Sequence, residues 1–206
     1  MSTGRIGALA DGVFAIVMTL LVFGLAVPEI DAALSVSETS QQLIDGLLGQ
    51  LPNLASYVLS FVILGVYWVA HHTQFQYINR ADQNLLWLNI LFLACVSLIP
   101  FTESIMGRYP DQRAAVILYG ANLILVAISH YAVWRYATRE RRLVDAQLET
   151  WVIALGRFMS LLPIGAYVFG MVLAFIHPYL SILVYALVPI PYVFGLFQRR
   201  LGVKTT

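Results

Sequence analysis

Six apolar stretches, each about as long as a bilayer core is thick, decide what this chain can fold into. A hydrocarbon layer of roughly 30 Å needs about 20 mainly apolar residues wound as a helix. Residues 6–27, 53–72, 84–103, 113–135, 151–176 and 179–197 all meet that length. Charged residues make up 11% of the chain, against about 25% in soluble domains, so water is not its main solvent. The expected fold class is all-α: a polytopic membrane protein with six transmembrane helices in a single transmembrane domain, residues 1–206.

Punctuation along the chain sharpens the boundaries. Pro28 is expected to end the first span, because proline cannot continue the helical ladder. Pro52 suits the first turn of the second, where a missing N–H costs little, and His177-Pro178 separates the fifth from the sixth. Pro163, Pro189 and Pro191 fall inside the last two spans and predict kinks there. The first span reads as permanent rather than as a cleaved signal, since an acid follows its early arginine and no small-residue cleavage site follows a short apolar core. Cys95 lies in an apolar run and reads as a small packing residue.

The distribution of basic residues predicts orientation. With the N-terminus inside, Arg5, Arg80, Arg135, Arg139, Arg141, Arg142, Arg199, Arg200 and Lys204 collect on one side, nine of the 12 basic residues. Both termini are then cytoplasmic. The other side holds Arg108 and Arg113 against six acids, Glu29, Asp31, Glu38, Asp45, Glu103 and Asp111. Within the long outer connection, Leu43, Ile44, Leu47 and Leu48 share a helical face, with Ser40 a possible cap. A short interfacial helix and an ordered loop packed on the bundle are both open.

Two constellations carry chemistry. Near the cytoplasmic face lie Arg5 and Asp11 of the first span, Trp68, His71 and His72 at the end of the second, and Asn84 and Asn89 at the start of the third. An intramembrane carboxylate needs a protein interior or water and a partner. Arg5 and Asp11 lie about 120° apart around a helix axis, so each must find partners on other helices. A network of Asp11, one histidine and an asparagine would satisfy these groups, as a structural clamp or as a proton-sensing element. Adjacent histidines point in different directions and no HExxH-like ligand set follows, so a metal site is not expected. Arg157 snorkels to the interface or pairs with Asp11, and His130 and Arg135 read as interfacial residues. The second constellation is the apolar stripe Ile16, Leu20 and Phe23, with Thr19 on its flank, at least about 120° round the helix from Asp11. A net charge of +1 excludes the concentrated basic surface of a nucleic-acid binder. No nucleophile elbow, phosphate loop or carboxylate pair is present, so an enzyme is not expected.

The stretch "RIGALADGVFAIVMTLLV" resembles the first helix of the transmembrane protein 175 family of prokaryotic and endolysosomal potassium channels. That helix carries Arg, three residues, Phe-Ser-Asp, then a "VFAI…TLLV" run. Arg5 and Asp11 match in type and spacing, while Leu9 and Ala10 replace the Phe and Ser. "YWVAHHTQF" is similar to the second helix, and "LLWLNILFLACVSLIPF", with Asn89 and the Pro100-Phe101 exit, to the third. The resemblance implies a homotetramer in the lipid bilayer of a bacterial plasma membrane, with four first helices around a pore for potassium and other monovalent cations. It places the narrowest point at Ile16, with further layers at Thr19, Leu20 and Phe23. No resident cofactor is implied, and no TVGYG-like filter is present. The expectation is therefore a potassium-permeable channel with a hydrophobic constriction. The rival is a proton-linked secondary transporter using Asp11 and His71 or His72.

Overall fold

The structure is a computed structural model that describes residues 3–30 and 35–194. Nine α-helices lie among the described residues: α1 Thr3–Leu20, α2 Val36–Gly49, α3 Leu51–Tyr77, α4 Gln83–Ser97, α5 Ile99–Arg108, α6 Arg113–Thr138, α7 Thr150–Leu173, α8 Pro178–Leu187 and α9 Ile190–Val193. Five runs are long and apolar enough to cross a membrane: Thr3–Gly24, Leu51–Tyr77, Gln83–Arg108, Arg113–Arg141 and Thr150–Leu173. Pro178–Val193 forms a shorter apolar helical run. The expected sixth span is thus broken at Pro189, and its last three residues, 195–197, lie outside the described residues, as do Asp31, Arg199, Arg200 and Lys204.

Three boundaries depart from the hydropathy reading. The first helix leaves α geometry at Leu20 and finishes as a 3₁₀ turn over Leu21–Gly24, so Pro28 follows the helix rather than ending it. Gly24 allows a close approach here: a Cβ there would stand 3.1 Å from Glu103 Oε2. The third span divides into α4 and α5 at Leu98, with Pro100 in the first turn of α5, where its missing N–H does no harm. α7 runs through Pro163. The outer connection does hold a helix, α2, but its cap is Ser35. Ser35 Oγ and N both donate to Glu38 Oε2, at 2.6 and 3.0 Å, a Ser-x-x-Glu start. Ser40 is already inside the helix and bonds back to the Val36 carbonyl. The two Ser35 bonds, the hydroxyl's first and the amide's second, hold the Glu38 carboxyl below its ordinary value. α2 buries none of its residues, and Gly46 lets it lie against Pro28, where a Cβ would come within 2.6 Å.

The core has two parts. The larger gathers Phe14, Leu64, Phe92, Leu123, Tyr167 and Tyr185 from α1, α3, α4, α6, α7 and α8, and Cys95 is a buried free thiol within it. The smaller gathers Ile6, Ile78, Leu85, Val133, Leu143 and Val144 at the end where the α3–α4 and α6–α7 connections meet. There Asn79 N and Arg80 N both donate to the Leu143 carbonyl, at 2.9 and 3.3 Å. α6 is the centre of the bundle, packing on α4, α5 and α7, while α1 packs along α3 and α4. At the α6–α7 crossing Gly156 lies against the Trp134 ring, leaving 2.5 Å to any added Cβ, and Trp134 Nε1 donates to the Ile153 carbonyl at 3.2 Å.

Candidate functional site

α1 has two unlike faces. Ile6, Ala10, Phe14, Val17 and Leu21 recur at three- and four-residue intervals and are buried against the bundle. The other face stays open on the subunit, with Ile16 61%, Leu20 42% and Phe23 80% exposed. Thr19 lies among them, and its Oγ1 donates to the Ile16 carbonyl at 2.7 Å. The hydroxyl hydrogen is thereby committed to the helix's own backbone, and only acceptor capacity remains outward. Because the 3₁₀ turn makes about three residues per turn, Phe23 eclipses Leu20 instead of drifting around the axis. An unbroken apolar column with one polar step results.

The expected polar network divides into separate pairs. Trp68 Nε1 donates to Asp11 Oδ1 at 2.8 Å and ties α1 to α3. One turn on, His71 is buried and its Nε2 meets Asn89 Oδ1 at 2.8 Å, tying α3 to α4. The His71 ring is stacked between Phe75, 4.5 Å away, and Phe92, 5.4 Å away and only 5° from parallel. His72 is exposed and stacks on Trp68 at 6.1 Å. Arg5 is exposed, and among the described residues it forms no ion pair with Asp11. Asn84 belongs elsewhere: its Nδ2 donates to the Tyr136 hydroxyl at 3.2 Å.

Sequence reasoning missed the Tyr136 junction. Tyr136 OH donates to Asp82 Oδ2 at 2.7 Å and accepts from Arg142 Nη1 at 3.2 Å, while Asp82 Oδ1 caps α4 through Leu85 N at 2.8 Å. An Asp before an apolar run is a readable cap signal, but its tyrosine partner lies 54 positions away. Burial opposes the charge on Asp82, yet the tyrosine hydroxyl, the Leu85 amide and the nearby Arg142 outweigh it and hold the carboxyl below its ordinary value. A carboxyl depressed in the fold adds stability above its unfolded pKa and loses it as pH falls through the folded one. We expect Asp82→Ala to lower Tm at neutral pH. The gap from the parent should narrow as the buffer is taken below about pH 4, measured by thermal unfolding across pH.

Two other residues were misplaced by position alone. Glu103, counted with the outer surface acids, is 1% exposed and receives the Ser56 hydroxyl at 2.5 Å beside Gly24, so it adds nothing to the surface charge. His130 is buried, not interfacial, with Nδ1 3.4 Å from Gln74 Nε2, whose other contact is Ser160 Oγ at 3.4 Å. Arg157 lies at the α6–α7 connection with Thr138 and Arg141, and among the described residues it forms no ion pair with Asp11.

Comparison with known proteins gives concordant likenesses. The family described as endosomal/lysosomal potassium channel TMEM175 matches residues 5–100. A potassium channel of Streptomyces collinus is 32% identical over 197 residues, covering 94% of this chain and 92% of that protein. One of Chamaesiphon minutus is 32% identical over 184 residues, covering 87% and 88%. The endosomal/lysosomal proton channel TMEM175 of Bos taurus is 34% identical over 142 residues, 66% of this chain but 30% of that longer protein. Among solved structures, a lysosomal potassium-selective channel TMEM175 homolog from Chamaesiphon minutus superposes with TM-score 0.81 at 28% identity, covering 94% of this chain and 97% of that one. A variant of the potassium channel MtTMEM175 shares the fold, with TM-score 0.64 at 16% identity over 95% and 93% of the two chains.

Proposed function

Because the chain belongs to the TMEM175 family of ion channels, an integral membrane family and not one of enzymes, we propose that it forms a homotetrameric, potassium-permeable channel in the bacterial plasma membrane. The four α1 helices surround the pore, each subunit is a single transmembrane domain of six membrane segments, and both termini are cytoplasmic. One observation carries this reading: α1 buries one face in its own subunit and leaves the column Ile16, Thr19, Leu20 and Phe23 open.

In a lone subunit such a column faces lipid. Around a fourfold axis it becomes a wall, with Ile16 the narrowest ring and a gate that closes by dewetting. Thr19, its hydrogen already bonded to the Ile16 carbonyl, would then present a ring of acceptor oxygens to a partly dehydrated cation just beyond the constriction. The Trp68–Asp11 and His71–Asn89 bonds fasten α1 to α3 and α3 to α4. They act as the clamp that sets the tilt of the wall. Acids of the outer surface, Glu29, Glu38, Asp45 and Asp111, raise the local cation concentration at the mouth.

The test is the symmetry of the purified full-length particle by single-particle microscopy, paired with potassium flux from liposomes. A fourfold particle with α1 on the axis and measurable flux is the expected result. A particle with α1 at its outer rim would overturn the reading.

A further inference from the structure

The α6–α7 connection holds a feature that conduction does not use. Between the end of α6 and the start of α7 lies a cleft of about 520 Å³, lined by Thr138, Arg141, Thr150, Ile153 and Arg157 among others. Thr150, Ile153 and Arg157 stand at i, i+3 and i+7 along α7, so they share one face of that helix. The turn leading into it is strained. Glu140 and Arg141 have φ of 55° and 52°, the left-handed region that side chains disfavour, and neither is glycine. The turn is pinned by Leu143 N on the Ala137 carbonyl at 3.1 Å. Arg141 folds back over the cleft, with Nη2 on the Leu148 carbonyl at 3.1 Å and on Thr150 Oγ1 at 3.3 Å. Strain of this kind is kept where a side chain must be aimed.

Charge is out of balance inside the cleft. Two guanidiniums line it, and Arg157 Nε is buried with no partner. The acid that also lines it, Glu140, is drawn outward onto Arg139 at 3.6 Å, where both side chains are mostly exposed. We propose that this cleft binds the phosphate of an anionic phospholipid headgroup. The guanidinium of Arg157 grips the phosphate from the helix side and that of Arg141 from the turn side, as planar forks suit phosphate oxygens. The surroundings favour a lipid over a soluble anion. Arg157 is about two turns into a membrane-length helix, and Trp151 and Phe158 are exposed on the same helix, near the depth where aromatic belts meet headgroups. Basic pockets between membrane helices at the positive end of a bundle take anionic headgroups in this way.

The experiment follows Tm of the detergent-solubilised full chain during titration with short-chain phosphatidylglycerol, short-chain phosphatidylcholine and inorganic phosphate. A saturable rise with phosphatidylglycerol is expected, with half-saturation shifted roughly tenfold upward in both Arg157→Gln and Arg141→Gln. Arg80→Gln, which removes the same charge from the neighbouring connection, should leave it unchanged. If Arg157→Gln does not fold, Arg157→Lys and Arg141→Gln carry the comparison. An equal rise with phosphatidylcholine, or curves indifferent to both arginines, would overturn the site. The same arginine-dependent rise with inorganic phosphate alone would overturn the lipid and leave a soluble anion.

Discussion

Ile16→Asn is expected to raise potassium flux through reconstituted liposomes by at least about tenfold, equivalent to lowering the conduction barrier by about 1.4 kcal/mol. The reason is geometric. Ile16 is 61% exposed on its subunit although it lies mid-helix in an apolar span, and in the proposed tetramer a ring of four such side chains would be dry, because no side-chain atom in it can hydrogen-bond water. Four amides in the same place can, and a wetted constriction no longer excludes a hydrated cation. Phe23→Asn should have a smaller effect, because the narrowest ring of the proposed pore, at Ile16, stays apolar. Leu125→Asn, which polarises an exposed position on α6 rather than α1, controls for general loosening of the bundle and should leave flux near the parent value. Unchanged flux in Ile16→Asn, with the particle still intact, would remove Ile16 from the pore.

The split between the two faces of α1 was legible in the sequence because helical periodicity needs only local information. Asp11 and the Ile16 column were assigned to different interfaces from angle alone, and Asp11 indeed meets Trp68 while the column stays open. Five of the six expected spans followed from hydropathy for the same reason, whereas the sixth is a shorter run broken at Pro189. What hydropathy does not encode is where a segment changes geometry. At the 3₁₀ end of α1, Gly24 lies against Glu103, a contact between segments far apart in the chain. Nor does position along a span fix burial. Glu103 and His130 sit near span ends, where exposure is the ordinary outcome, but Ser56 and Gln74 reach them from α3 and draw them inside. Of the expected polar cluster, Asp11 pairs with Trp68 and His71 with Asn89, while Arg5 is exposed and Asn84 joins another junction. Asn89 and Asn84 are five positions apart on one helix, so they face different neighbours. One closes on His71 and the other joins the Tyr136 junction, which no local pattern announces.

His71 separates the channel from the proton-linked transporter most sharply. In the channel reading its ring is packing, held between Phe75 and Phe92 and pinned by Asn89. His71→Ala would empty that slot and strand the Asn89 oxygen, at a cost of about 3–5 kcal/mol by analogy with buried aromatic truncations, lowering Tm by roughly 6 °C or more. His71→Phe keeps the stack but leaves the Asn89 oxygen without the same partner, a loss of about 1 kcal/mol in membrane bundles. The two substitutions should therefore differ severalfold in stability while His71→Phe still conducts potassium. A proton carrier predicts the opposite order of importance: any residue without a titratable ring abolishes pH-gradient-driven flux, however well it packs. Asp11→Asn makes the same distinction on the other helix pair. The amide oxygen can still accept from Trp68 Nε1, so the clamp survives without the charge, and potassium flux should persist. Loss of a pH-driven flux in both His71→Phe and Asp11→Asn, with folded particles of near-parent Tm, would give these residues to the transporter.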